Sequence, residues 1–224
     1  MKRLHDMPFG AYYDPDSTRF RLWAPSAREV LLRLDHADTH AALPMSPLQG
    51  GWFERDMKGL LPGCRYRFQV DGGLLVPDPA SRSNPDGVHA ASELTDPCSF
   101  EWQDENWCGR PWHEAVVYEV HVGCASPQGS FAGLEQRLGY LAELGVTALQ
   151  IMPLAATPGR RNWGYDGVLA YAPAAAYGPP DALKSLIQSA HRLGIMVLLD
   201  VVYNHFGPEG NYLHVYARDF FTER

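Results

Sequence analysis

The stretch LLDVVYNHFGPEGNYL, Leu198 to Leu213, decides how this chain is read. An apolar run, Ile195 to Val202, carries a carboxylate near its end, Asp200, and is followed by an amide and an imidazole, Asn204 and His205. A Pro/Gly loop comes next. A buried parallel strand delivers polar groups in this way to a site at its C-terminal end.

Working upstream, the same half holds two more strands with helices between them. AVVYEVHV (Ala115 to Val122) reads as a buried strand. Ser130 is placed to N-cap a helix with Phe131, Leu134, Leu138, Leu141 and Leu144 on one face, closed by Gly145. TALQIMPL (Thr147 to Leu154) is a second strand, and a long loop runs from Ala155 to Pro180. Asp181 is expected to cap a second helix carrying Leu183, Leu186, Ile187, Ala190 and Leu193, closed by Gly194. MVLLDVV (Met196 to Val202) is the third strand. This order predicts a βαβαβ unit with a parallel sheet. No G-x-G-x-x-G follows the first strand, where the chain reads GCASPQGSF, which weighs against a dinucleotide fold. The polar residues gather after the second and third strands, as in a (β/α)8 barrel.

The front half has period two. FRLWAP (Phe20 to Pro25), EVLLRLD (Glu29 to Asp35), GWFERDM (Gly51 to Met57) and CRYRFQVD (Cys64 to Asp71) are short alternating runs separated by turn signals such as Leu61-Pro62-Gly63. Their spacing predicts an all-β, immunoglobulin-like sandwich. Residues 76–113, rich in Pro, Asp, Ser and Trp, read as an ordered connection along the surface. The expected division is a sandwich over 1–96, a connection over 97–113 and the start of a barrel over 114–224.

Composition sets bounds on function. A net charge of −7 disfavours nucleic acid or an anionic membrane surface as a partner. No apolar stretch reaches the length of a membrane span, and the opening MKRLHDMPFGAYYDPDS has no apolar leader core. The four cysteines show no C-x-x-C pair or zinc spacing and read as reduced thiols of a cytoplasmic protein. The nine histidines form no H-E-x-x-H, so neither metal nor cofactor is expected.

With VYEVHVG, GSFAGLEQRLGYLAELGVTALQIMP, NWGYDGVLAYAP, AYGPPDALKSLIQSAHRLGI and VLLDVVYNHFGPEGNYL in this order, the chain resembles the α-amylase superfamily. More narrowly, with FRLWAPSAREVLL and PDPASRSNPDGVH in front, it is similar to the malto-oligosyltrehalose trehalohydrolase family. That resemblance implies a retaining glycosidase cleaving the α-1,4 bond beside the terminal trehalose of an α-1,4-glucan oligosaccharide. It also implies a carboxylate nucleophile and an acid/base on the fourth and fifth barrel strands. A barrel of this type takes roughly 250 residues. Residues 114–224 are expected to supply its first three βα units, so the chain is expected to be an N-terminal fragment, without the catalytic pair and inactive alone.

The resemblance assigns Tyr165 to stack on the sugar ring and His205 to hydrogen-bond one of its hydroxyls. It assigns Asp200 to organise the site with an arginine of a later strand, Asn204 to orient neighbours, and Trp163 and Asp166 to shape the cleft. Plainer roles stand beside these: Tyr165 as a loop tyrosine packing on its own strand, Trp163 and His205 as structural side chains. His121, at the end of the first strand, reads as a hydrogen-bonded core residue or as part of the site floor. Trp23 and Trp52 read as core or as a sugar platform. Two other functions stay open: the front of a branching or debranching enzyme, and a non-catalytic glucan-binding module.

Overall fold

The computed structural model describes residues 7–35 and 42–222; residues 1–6, part of the segment read above for a leader, lie outside them. The front half is built of β1 (Gly10–Tyr12), β2 (Thr18–Trp23), β3 (Val30–Asp35), β4 (Ala42–Pro44), β5 (Ser46–Leu48), β6 (Trp52–Met57), β7 (Arg65–Val70), β8 (Leu75–Val76) and β9 (Ser92–Glu93). Among the described residues these strands form two antiparallel sheets, in the orders β1-β2-β6-β5 and β4-β3-β7-β8, with β9 also pairing β7. The alternation read from the sequence is the burial pattern. Thr18, Phe20 and Leu22 of β2 point inward while Arg19, Arg21 and Trp23 are partly exposed. Phe20, Leu22 and Phe53 of the first sheet meet Val30, Leu32, Tyr66, Phe68 and Val70 of the second in one core. Phe20 and Tyr66 close it edge to face at 4.9 Å.

In the second half, β10 (Val117–Val120) leads into α1 (Val122–Ala125), α2 (Phe131–Glu135) and α3 (Leu138–Glu143). β11 (Ala148–Ile151), β12 (Ala155–Ala156), β13 (Leu169–Pro173), α4 (Pro180–Arg192), β14 (Met196–Leu199) and α5 (Leu213–Tyr216) follow. β10, β11 and β14 pair in parallel, in that order. Phe131, Leu134, Leu138, Leu141, Leu186 and Ala190 cover one face of this sheet, packing on Val120, Leu149 and Ile151. The opposite face carries Glu119 and Gln150, joined by a 2.9 Å hydrogen bond.

Three expectations need correction. The helix begun at Ser130 is two helices: Arg137 N–H donates back three residues to Leu134, which tightens the chain between α2 and α3. Ser130 does cap it, accepting from Gly133 N–H at 3.2 Å. Asp181 is not a cap. α4 starts at Pro180, whose missing N–H and fixed φ suit the first helical position, and Asp181 sits in the first turn, paired with Lys184 at 2.9 Å. The stretch 155–180 is not a plain loop either, because Ala155–Ala156 and Leu169–Pro173 pair as an irregular antiparallel ribbon.

The connection is fastened to α4. Gln103 N–H donates to Gln188, the buried Asp104 lies 2.6 Å from the partly buried His191, and Trp107 stacks on the His191 ring at 4.6 Å. At the far end, Tyr216 and Ala217 leave the parallel half and complete the core of the front half. Ser26 N–H donates to the Tyr216 carbonyl at 2.9 Å.

Candidate functional site

The site lies at the C-terminal ends of the parallel strands. Beyond β14 the ladder continues one step, Asp200 N–H donating to the Ile151 carbonyl at 2.9 Å, which fixes the backbone carrying the Asp200 carboxylate. The Tyr165 phenol donates to Asp200 Oδ2 at 3.1 Å. This hydrogen bond pushes the phenol's pKa above the ordinary tyrosine range, since ionising would set two anions side by side. His205 Nε2 lies 3.0 Å from the Tyr165 carbonyl. A carbonyl only accepts, so Nε2 carries a proton, and Nδ1 is the ring nitrogen left to face a ligand hydroxyl.

The loop bearing Tyr165 is held from below. Asn162 accepts Gly164 N–H on Oδ1 at 2.7 Å and donates to Asp166 Oδ2 at 3.0 Å. His121 Nε2 lies 2.8 Å from the Asn162 carbonyl and must be its donor; the Tyr177 hydroxyl stands 3.2 Å from the same nitrogen. Two glycines allow the close approach. A Cβ on Gly164, whose φ is +98°, would stand 2.1 Å from the Pro153 carbonyl oxygen. One on Gly207 would stand 2.1 Å from that of Asp166.

The structure therefore brings Tyr165, Asp200 and His205 together and gives Asp166 a bracing role through Asn162. Trp163, 76% exposed, and the exposed Asn204 lie outside this hydrogen-bonded set. Asp200 accepts from a phenol here, and the arginine expected beside it belongs to a later strand. Sequence reasoning missed Asn162, Gly164, Gly207 and Tyr177. The one available signal was the Asn-x-Gly-x-Asp pattern of residues 162–166, a side-chain-stabilised turn. A cavity of about 390 Å³ opens beside Asp200 and His205, walled by Tyr171, Tyr203 and Phe206. The Tyr165 ring face and the polar His205 edge suit a polyhydroxylated ring.

Residues 75–222 match the alpha amylase catalytic domain, and residues 8–99 match carbohydrate-binding module 48, the isoamylase N-terminal domain. The chain is similar to the malto-oligosyltrehalose trehalohydrolase of Deinococcus radiodurans, at 50% identity over 207 residues, 92% of this chain and 34% of that protein. Among solved structures it is similar to a Salmonella typhimurium protein provisionally described as an alpha amylase, at 46% identity and a TM-score of 0.93, covering 98% of this chain and 37% of that one. It is also similar to a pullulanase of Paenibacillus barengoltzii crystallised with maltotetraose, at 27% identity and a TM-score of 0.83, covering 98% and 42%. The chain spans about a third of the length of the curated relatives it matches.

Proposed function

The chain belongs to the alpha-amylase family, and from that premise we propose that it is the front part of a retaining glycoside hydrolase that cleaves the α-1,4-glucosidic bond next to the terminal trehalose of a malto-oligosyltrehalose. Residues 1–96 form an immunoglobulin-like sandwich, 97–113 the connection, and 114–224 the first three βα units of an eight-unit barrel. The similarity to trehalohydrolases over most of the chain supports the substrate class. The observation that carries the reading is the Tyr165–Asp200–His205 cluster at the carboxyl ends of parallel strands, where barrel enzymes place their sites.

In this reading Tyr165 offers its ring face to the pyranose, Asp200 fixes the phenol, and His205 accepts from a sugar hydroxyl. Hydrolysis with retention needs two carboxyl groups about 5–5.5 Å apart across the scissile bond. The resemblance assigns neither to this chain, so the chain alone binds and does not cleave. The test is calorimetric titration of the chain with maltotetraose and malto-oligosyltrehalose, followed by assay for free trehalose. Binding without release is expected, with Tyr165→Ala about tenfold weaker. Trehalose release by the chain, or equal affinity in Tyr165→Ala, overturns it.

A further inference from the structure

The segment between β8 and β9, residues 77–91, belongs to the front half, yet it touches the loop that carries His205. Val88 is the buried contact. Its side chain is 2% exposed and packs with Ala156, Val168, Leu169 and Ala172 at the ribbon. It also bears on the loop itself. A Cβ on the buried Gly210, whose φ is +93°, would stand 2.6 Å from Val88 Cγ2.

His89, the next residue, holds the same loop by both ring nitrogens. Nε2 lies 3.0 Å from Glu209 Oε1 and donates to it, since a carboxylate only accepts. Nδ1 lies 2.6 Å from the Tyr212 hydroxyl, which donates or accepts as the ring requires. The His89 and Glu209 side chains are 50% and 65% exposed, so this pair adds little to global stability. Its consequence is local. Before the clamp, Gly207 N–H donates to the Gly167 carbonyl at 3.1 Å. Tyr203, Asn204, His205 and Phe206, between β14 and these fixed points, are all exposed. The place of the His205 ring is therefore set by where the loop is fastened and by its bond to the Tyr165 carbonyl.

We propose that Val88 and His89 are positioning residues for the site: they brace the loop from the front half, and through it the His205 ring, without touching sugar. The proposal rests on the function proposed above, in which His205 meets a sugar hydroxyl. A hydrogen bond weakens steeply as its angle closes. A loop shift that costs the fold almost nothing therefore takes the imidazole off its hydroxyl. Val88 fixes the loop by shape and His89 by direction. Truncating Val88 would also loosen the ribbon, so His89 and its partner Glu209 carry the test.

The test takes the full chain with His89→Leu, Glu209→Ala, both together, and His89→Gln, which restores a donor toward Glu209. Each is titrated with maltotetraose by calorimetry, its His205 imidazole signals are followed by nuclear magnetic resonance, and its urea midpoint is measured. His89→Leu and Glu209→Ala should each weaken binding about fivefold with the urea midpoint unmoved. The double variant should be no weaker than either single one, because both break the same contact. His89→Gln should recover affinity to within about twofold of the wild type, and the His205 signals should shift and return in step. If the wild type binds and His89→Leu binds as tightly, the positioning proposal fails and the function proposed above stands. Losses that multiply in the double variant, or that follow a lowered urea midpoint, also overturn it. If the wild type takes up no maltotetraose, the function proposed above fails, and the His205 signals alone decide: shifted in His89→Leu and restored in His89→Gln, they uphold the brace; unmoved, they overturn it.

Discussion

Asp78 is wholly buried in the front half, where it accepts from the Tyr66 hydroxyl at 2.7 Å and from Ala80 N–H at 2.8 Å. Burial pushes its pKa from 3.8 up to about 6, although both hydrogen bonds pull the other way. The folded chain therefore holds this proton more tightly than the unfolded one. Below about pH 4 both states are protonated and nothing is lost. Between about pH 4 and 6 the unfolded chain ionises first, and above that window the charged form stays buried at a cost of roughly 3 kcal/mol. Asp78→Asn cannot titrate. Its stability relative to the wild type should rise by about 3 kcal/mol between pH 4 and pH 7 in urea unfolding. Parallel pH curves for the two proteins would remove Asp78 as the source.

At the scale of elements, the loop under Tyr165 depends on a contact between distant pieces of chain. His121 ends β10, yet it holds the Asn162 carbonyl, and Asn162 in turn shapes the turn that presents Tyr165. His121→Leu removes the donor and His121→Gln restores an N–H near the same place. The exposed Arg160 and Arg161 report on the loop. Trypsin should cut there about tenfold faster in His121→Leu and near the wild-type rate in His121→Gln, because cleavage follows local opening. Equal rates in all three proteins would make His121 irrelevant to the loop.

This contact also marks where the sequence stops being legible. β2, β3, β6 and β7 are six residues long, enough alternations to be read, whereas β1, β4, β5, β8 and β9 have three or fewer. Tyr165, Asp200 and His205 stand out in the sequence because family motifs carry them. Their mutual hydrogen bonds, and the carbonyl that selects His121, belong to tertiary geometry that no local pattern encodes. The start of α4 was misread for a local reason: two consecutive prolines set the helix start one residue before the Asp taken as its cap.

At the scale of the molecule, the two halves share a core residue. Tyr216, 1% exposed, lies beyond β14 and packs among the side chains of the front sheets, while Arg218 N–H donates to Ser26 Oγ at 3.0 Å. Against this stands the parallel sheet, whose outer strands β10 and β14 pair, among the described residues, only with β11. Val117 is 44% exposed and Leu199 52%. Open edges and bare apolar groups favour local opening and association. The Tyr216 anchor therefore couples a well-packed half to a loosely covered one. Hydrogen exchange should find β3 and β7 amides the slowest and those of β10 and β14 faster by at least about a hundredfold. Tyr216→Ala should cost about 3 kcal/mol. Its loss should also speed exchange in β3 and β7, although the substitution lies in the last helix. If Tyr216→Ala speeds exchange only in residues 195–222, the anchor does not carry stability between the halves, and the front half folds on its own account.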